Sequence, residues 1–366
     1  MPPIPVTRPV LPPLSEFTAL LEGIWERRHL TNIGPLHQEL ERALEAHLRV
    51  PHVSLYANGT VALMAALQTL GLCGEVITTP FTFVATVQAI RLSGLTPVFV
   101  DVEPETLNLD PNLLEAAIGP NTVAIMPVHC YGHPCDTEAI AAIAERHGLR
   151  VLYDAAHAFG VEVGGESLLR AGDMSALSFH ATKVFSTVEG GAVVCATEDQ
   201  KRRLDSYRNF GLVSETEIPT VGQNGKMSEL HAAFGLCHLK MVDALIEARE
   251  TVARQYLEGL ADVPGLRCVT SGLPSRHNHA YFPVLLDSRY PLSRDALQAR
   301  LRGIDVLARR YFYPAAHDFE AFARVRQATP LPVATTASHN ILCLPIYPDL
   351  DPSDIARIIA MIRSPS

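Results

Sequence analysis

A lysine and an aspartate follow two apolar segments of the sequence and could act on the same cofactor. Lys183 comes just after the segment SALSF (175–179) and is followed by the paired glycines Gly190 and Gly191. A partly desolvated lysine amine is a good nucleophile for a carbonyl carbon, because its ammonium form is disfavoured away from water. Asp154 ends the segment LRVLYD, where a carboxylate could keep a pyridine nitrogen protonated. The sequence therefore predicts a pyridoxal 5'-phosphate site.

A third segment has the composition of a phosphate-binding turn. The string YANGTVALMAAL predicts a strand over 53–56, a turn at Asn58 and Gly59, and a helix that begins at Thr60. The first N–H groups of a helix lack intrahelical partners, and the helix dipole favours an anion beside them. Asn-Gly-Thr also begins many helices that bind nothing, so the functional interpretation depends on the lysine and the aspartate being present.

Short apolar strands alternate with helical stretches through the first half of the chain. Strands are predicted at 53–56, 75–79, 97–101, 122–128, 149–154, 175–179 and 191–196. Apolar strands separated by helices are typical of a parallel sheet buried on both faces, which binds ligands at the carboxyl ends of its strands. A long helical pattern from about Ser228 to Leu257 predicts the link to a second domain. We expect a large cofactor-binding domain with an N-terminal arm over residues 1–245 and a small domain over 246–366.

Composition excludes several classes of protein. The chain has 366 residues, more than one hydrophobic core usually organises, which favours two domains. Its formal net charge of −9 disfavours general nucleic-acid binding, and no basic run favours a membrane surface. The cysteines and histidines lack the spacings of zinc sites, so no metal site is predicted. The proline-rich N-terminal segment lacks the regions of a signal peptide, so we expect a cytoplasmic protein.

Five strings, in order along the chain, resemble the DegT/DnrJ/EryC1/StrS family of nucleotide-sugar aminotransferases. They are NGTVAL, TPFTFVAT, YDAAHA, SFHATKVFSTVEGGA and GQNGKMSELHAAFG. The similarity extends from TNIGP at 31–35 to LPIYPDL at 344–350. It implies the α/β architecture of fold type I pyridoxal-phosphate enzymes, with a mainly parallel seven-stranded sheet in the large domain and a smaller C-terminal α/β domain. It also implies a homodimer whose subunits share the active sites.

The resemblance assigns roles to the residues at matching motif positions. Lys183 would hold the cofactor aldehyde and carry the proton of the 1,3-shift, and Asp154 would pair with the pyridinium nitrogen. The other implied cofactor contacts are Gly59, Thr60 and Ser178 at the phosphate, Phe83 against the ring, His157 near the 3-oxygen, His180 beside the lysine, and Asn224 at the phosphate of the neighbouring subunit's cofactor. Many members have glutamine where this chain has His157, and histidine can donate the same hydrogen bond. Relatives that replace the lysine with histidine are dehydratases, so the lysine favours amino transfer.

The resemblance also implies the substrates. The strings HATKVFSTVEGG and TLGLCGEVITTP are most similar to the branch that aminates C4 of dTDP-4-keto-6-deoxy-D-glucose with L-glutamate, for surface polysaccharides such as O-antigen. The residues that would lie near this substrate are Thr31, Asn32, Arg309, Arg310 and Tyr313, since guanidinium groups suit a diphosphate. Four alternatives stay open: amination of 3-keto sugars, amination of GDP-linked keto sugars, a member that acts on cyclitols, and a sensory or binding relative of this fold without catalytic activity.

Overall fold

Alternating strands and helices build the chain in the computed structural model, which describes residues 2–270 and 274–364. The helices are α1 (Leu14–Arg27), α2 (Pro35–Leu48), α3 (Gly59–Thr69), α4 (Val84–Leu92), α5 (Leu114–Ala117), α6 (Thr137–His147), α7 (Glu198–Tyr207), α8 (Glu229–Leu239), α9 (Val242–Leu260), α10 (Arg294–Gly303), α11 (Pro332–Asn340) and α12 (Pro352–Arg363). The strands are β1 (Ile4–Pro5), β2 (His52–Tyr56), β3 (Glu75–Thr78), β4 (Thr96–Phe99), β5 (Thr122–Ile125), β6 (Arg150–Asp154), β7 (Glu162–Val163), β8 (Glu166–Ser167), β9 (Met174–Ser178), β10 (Gly191–Cys195), β11 (Leu266–Cys268), β12 (Phe282–Leu286), β13 (Val306–Leu307), β14 (Arg326–Gln327) and β15 (Ile341–Leu344).

The large sheet has the strand order β14-β4-β3-β5-β6-β9-β10-β2. Strand β10 runs antiparallel to both neighbours, and the other pairs are parallel. The seven strands that this sheet takes from residues 52–195 confirm the predicted, mainly parallel sheet. The C-terminal part of the chain adds β14 as an eighth strand on the edge of β4, which leaves less of that edge unpaired. This strand has two exposed residues and no apolar pattern, so the sequence analysis did not identify it.

Helices cover both faces of this sheet, as its apolar strands require. Val76 belongs to a buried cluster with Leu63 of α3, whereas the adjacent Ile77 belongs to a second cluster with Ile140 of α6. Neighbouring residues of one strand point to opposite faces, so both faces are in contact with helices. The ligand-binding edge of the sheet is therefore held between two packed layers.

The predicted long helix over residues 228–257 is two helices, α8 and α9, with a break at residues 240–241. Helix α8 packs against α1 and α2. Helix α9 contributes Ile246 to a buried apolar cluster that includes Leu40 of α2, and Tyr256 to a separate C-terminal cluster. The break allows the two helices to pack against different parts of the apolar core. Within residues 2–270 and 274–364, no helix combines the length and apolar composition needed to cross a membrane.

The C-terminal cluster is formed around the three-stranded sheet β11-β12-β15 with α9, α10 and α12. Ile4 of the N-terminal arm is buried in the same cluster, and β1 pairs in parallel with β13. The arm therefore contacts the C-terminal part of the chain. The division at residue 245 stays a prediction, since α9 contributes to both cores.

Candidate active site

Three strands of the large sheet end at one edge, and a fourth begins there. Asp154 is the last residue of β6 and pairs with Ala176 of β9, which itself ends at Ser178. Because β10 is antiparallel, its first residue, Gly191, pairs with Ser178 on one side and with Tyr56 at the end of β2 on the other. A cavity of about 420 Å³ lies at this edge, a volume within the range of small-molecule sites.

The cavity brings together most of the residues that were predicted to bind the cofactor. Nine of the predicted site residues line it: Gly59, Thr60, Phe83, Asp154, His157, Ser178, His180, Lys183 and Arg309. They come from segments separated by as many as 250 residues of sequence, from Gly59 to Arg309. The parallel sheet and its packed helices place these segments at one edge.

Lys183 lies in the turn between β9 and β10, and its backbone N–H donates a hydrogen bond of 2.8 Å to the carbonyl of His180. The buried Phe185 fixes this turn by stacking on Phe159, with ring centroids 4.7 Å apart. Burial lowers the pKa of Lys183 to about 8, and the opposing attraction of Asp154 only partly offsets this effect. The neutral, nucleophilic form of the amine is therefore far more abundant near pH 7 than in an exposed lysine.

Asp154 is a buried carboxylate, and each of its two oxygens accepts a hydrogen bond. The Thr86 hydroxyl donates to Oδ2 at 2.7 Å, and the backbone N–H of Ala156 donates to Oδ1 at 3.1 Å. Burial raises the pKa of Asp154, while these two hydrogen bonds and the Lys183 charge act in the opposite direction. A buried carboxylate favours a cationic partner, and a protonated pyridine nitrogen would be one.

The start of α3 at Gly59 and Thr60 forms, together with Ser178, a small cradle for a phosphate group. A residue larger than glycine at position 59 would fill this cradle. The Asn58 side chain accepts a hydrogen bond of 2.9 Å from the Val61 N–H, which leaves the N–H groups of Gly59 and Thr60 without intrahelical partners. A Cβ atom at position 59 would lie 2.8 Å from the Cβ of Ser178. The two free N–H groups, the helix dipole and the serine hydroxyl suit a phosphate group.

Replacing Gly59 with alanine is expected to weaken cofactor binding about ten- to hundredfold, because the added methyl group would displace Ser178 or the start of α3. Equilibrium dialysis of the cofactor against the purified protein would measure the dissociation constant. Gly119→Ala is the matched control, since a Cβ atom at position 119 meets no atom within 4 Å. Equal affinity in both variants would contradict the cradle.

His157 can supply a hydrogen-bond donor to the cavity. Its Nδ1 accepts a hydrogen bond of 3.2 Å from the Tyr131 backbone N–H. Burial and the nearby Lys183 charge hold the pKa of His157 well below its ordinary value, so the ring is neutral. A neutral ring whose Nδ1 accepts must carry its proton on Nε2. This tautomer agrees with the predicted hydrogen bond to the 3-oxygen of the cofactor.

Phe83 and His180 lie toward the solvent side of the cavity. The Phe83 side chain is 57% exposed, which is unusual for a large aromatic that does only core packing. It precedes α4, and its place in the lining leaves a ring face available to a planar ligand. His180 is exposed, contacts the Thr182 hydroxyl at 2.8 Å, and lies 3.7 Å from the Glu189 carboxylate, which also lines the cavity.

The other predicted site residues do not line the cavity formed by the described part of one chain. Thr31 and Asn32 lie on the exposed turn between α1 and α2, and Asn224 is exposed on the loop that precedes α8. The guanidinium of Arg310 lies over the Tyr313 ring and donates to Asp295 at 3.3 Å. Arg310 and Tyr313 therefore form a cluster beside α10, away from the lining to which Arg309 contributes.

Several lining residues were missed by the sequence analysis. Thr82 belongs to TPFTFVAT, the string from which only Phe83 was chosen. Its hydroxyl lies 2.7 Å from the hydroxyl of Thr86, a buried residue outside the lining that donates to Asp154. Tyr311 and Phe312 belong to the run ARRYFYP that supplied Arg309. Tyr281 was missed completely, because no sequence pattern connects it with the lysine that it contacts.

The buried Asp154 carboxylate, the Lys183 amine and the phosphate cradle at Gly59 together fit pyridoxal phosphate. This fold and site define the class of fold type I pyridoxal-phosphate-dependent aminotransferases. The DegT/DnrJ/EryC1/StrS aminotransferase family matches the chain over residues 14–363, and the chain belongs to this family. Membership implies pyridoxal phosphate as the cofactor and confirms the expected transaminase class.

The similarity to known proteins extends over almost the whole chain. It is 50% identical to a dTDP-4-amino-4,6-dideoxy-D-glucose transaminase from Shigella dysenteriae, with 99% of this chain and 98% of the relative covered. A transaminase of the same name from Escherichia coli is 43% identical, with 98% of both chains covered. The solved structure of DesI in the presence of its TDP-sugar product superposes with a TM-score of 0.94 at 36% identity, covering 99% of this chain and 93% of DesI.

Proposed function

We propose that this enzyme transfers the amino group of L-glutamate to C4 of dTDP-4-keto-6-deoxy-D-glucose, which gives dTDP-4-amino-4,6-dideoxy-D-glucose for surface polysaccharide biosynthesis. The observation that carries the proposal is the 50% identity, over 99% of the chain, with a transaminase named for this product. The cavity supports the proposal because it contains the amine, the carboxylate and the phosphate cradle that amino transfer requires.

Pyridoxal phosphate, when bound, would supply an aldehyde that takes up amino groups and a ring that withdraws electrons. The amine of Lys183 would hold that aldehyde and move a proton at the reacting carbon. Asp154 would hold a proton on the ring nitrogen, and His157 would donate a hydrogen bond to the 3-oxygen. Gly59, Thr60 and Ser178 would bind the phosphate, so that the cofactor would be fixed at three places relative to the lysine.

Arg309 is the lining residue best suited to the anionic parts of the substrates. It joins the cavity from the C-terminal part of the chain, where its backbone pairs with Cys343. Both the nucleotide diphosphate and glutamate are anionic, and guanidinium groups bind phosphates and carboxylates in a bidentate manner. Its neighbour Tyr311 lines the same side of the cavity and lies 5.9 Å from the Arg309 guanidinium. We infer that these two residues bind the substrate.

The enzyme is proposed to act as a homodimer, in which Asn224 reaches the cofactor phosphate of the other subunit. In one chain, Asn224 is exposed and lies outside the cavity. Large apolar side chains are exposed along the loop that leads to it: Phe210, Val213, Ile218 and Val221, the last being 90% exposed. Grouped exposed apolar side chains mark a surface that another protein covers, and a second copy would bring Asn224 to its site.

Asn224→Ala is expected to raise the dissociation constant of the cofactor about tenfold, because one hydrogen bond to a charged phosphate is lost. Sedimentation velocity should show a dimer for this variant and for the unchanged protein. Asn112→Ala, a substitution of an exposed asparagine outside the cavity lining, serves as the control. A monomeric wild-type protein, or unchanged cofactor affinity in the Asn224 variant, would overturn the shared-site proposal.

The proposed reaction is tested by mass spectrometry of the product formed by the purified enzyme from L-glutamate and dTDP-4-keto-6-deoxy-D-glucose. The expected product carries one amino group in place of the keto oxygen, and nuclear magnetic resonance would locate it at C4. A parallel reaction with GDP-4-keto-6-deoxymannose tests the main competing sugar nucleotide. Amination of the GDP sugar alone would reject the proposed substrate and leave the transaminase class intact.

A further inference from the structure

The segment over residues 276–281 ends at Tyr281, which lines the cavity, and it is hydrogen-bonded to the loop that follows Asp154. The Asn278 side chain, which is 1% exposed, donates to the carbonyls of His157 at 2.8 Å and Phe159 at 2.9 Å. Its Oδ1 also accepts a hydrogen bond of 3.0 Å from the Ala280 N–H. These three bonds fix the backbone on both sides of Asn278 and so determine where Tyr281 lies.

Tyr281 lines the cavity between the lysine and the histidine of the site. Its hydroxyl lies 3.4 Å from Nζ of Lys183, a distance at which the two groups share a hydrogen bond. Its ring meets the His157 ring edge to face, with centroids 4.7 Å apart, and also contacts the rings of Tyr131 and Tyr311. Aromatic contacts on several sides restrict the ring, so the hydroxyl has a defined position.

We propose that Tyr281 is a positioning residue of this site, whose hydroxyl holds the Lys183 amine at the reacting carbon whenever that amine is not bonded to the cofactor. The role rests on the proposed function of Lys183. Proton movement between two carbon atoms needs an amine that stays in one place, since small displacements of a catalytic group slow the reaction strongly. Asp154 also attracts the amine through its charge, but this attraction acts without a fixed direction.

A phenol suits this task because it can serve both charge states of the amine. Burial raises the pKa of Tyr281, so the hydroxyl keeps its proton and can donate to the neutral amine. The same oxygen can accept from the ammonium form. The hydrogen bond to the ammonium form is the stronger of the two, because hydrogen bonds to charged groups exceed neutral ones. Removal of the hydroxyl therefore lowers the pKa of Lys183 further.

The test is Tyr281→Phe in the full chain, which removes the hydroxyl and keeps the ring contacts. Trace acetylation of the cofactor-free protein over pH 6–10, with mass spectrometry of the peptide that contains Lys183, measures the pKa of the amine. The expected result is a decrease of about half a unit to one unit. In the loaded enzyme, the turnover number should fall about tenfold with little change in KM for glutamate.

Tyr256→Phe is the matched control, because Tyr256 is buried in the C-terminal core and does not line the cavity. A pKa shift in the Tyr281 variant and none in the control supports the proposal. An unchanged profile in the Tyr281 variant, or an equal shift in both variants, overturns it. Borohydride reduction of the loaded wild-type enzyme separates this outcome from failure of the proposed function, since a label absent from Lys183 would reject the lysine's role itself.

Discussion

Replacing Lys183 with alanine is expected to lower the rate of amino transfer by about 10⁴-fold or more, because it removes the group that we propose moves the proton. The side chain is half-buried in a turn that the Phe185–Phe159 contact fixes independently, so the variant should fold normally. Burial lowers the pKa of Lys183 to about 8, and no water molecule reproduces such a positioned base. Turnover is measured from 2-oxoglutarate released per enzyme in the presence of the keto sugar.

Borohydride reduction followed by peptide mass spectrometry tests the same residue without turnover. The wild-type protein should retain the reduced cofactor on the peptide that contains Lys183, and the alanine variant should retain none. Lys240→Ala is the control: this lysine is exposed and pairs with Glu16, away from the cavity, so labelling and turnover should stay unchanged. A label on another lysine of the wild-type protein would reject the assignment.

The sequence contained enough information to predict the sheet and to select candidate residues at the carboxyl ends of its strands. Lys183 and Asp154 could be selected because a charged residue at the end of an apolar strand, or in the turn that follows one, has few structural explanations. The strand order places both residues at one cavity, as the α/β pattern predicts. The predicted and observed ends of these strands differ by at most three residues, since hydrogen bonding and not hydrophobicity decides where a strand stops.

The contribution of the C-terminal part of the chain could not be predicted from local patterns. Tyr281 lies 98 residues from the lysine that it contacts, and its position depends on the Asn278 bonds to a distant loop. In the run ARRYFYP, Arg309 and Tyr311 line the cavity whereas Arg310 and Tyr313 contact each other. Which residues of such an irregular segment point inward is decided by its backbone path.

The residues that would be contributed by a second subunit are a separate case. Asn224 came from the family resemblance and not from any pattern of burial or charge. A single chain leaves it exposed, beside apolar side chains such as Val221 and Ile218 that a monomer would be expected to cover. The geometry of one chain therefore explains the amine, the carboxylate and the cradle, and the proposed dimer accounts for the exposed loop.

Asp154→Asn is expected to lower turnover about 10²- to 10³-fold while cofactor binding and borohydride labelling of Lys183 persist. Asparagine keeps the size of the side chain and a carbonyl that can accept from Thr86, but it cannot neutralise a protonated ring nitrogen. The ring then withdraws electrons poorly, although the phosphate cradle and the lysine still hold the cofactor.

Thr86→Val distinguishes loss of the Asp154 charge from loss of a hydrogen bond that this carboxylate accepts. This variant removes the 2.7 Å hydrogen bond to Oδ2 of Asp154, which raises the pKa of Asp154 further but leaves the carboxylate in place. Its turnover should fall only about tenfold, and the loss should be greatest on the acidic side, where the carboxyl group takes up a proton. Steady-state turnover over pH 5–9 measures both variants. An Asp154→Asn enzyme as active as the wild type would show that the ring nitrogen needs no anionic partner.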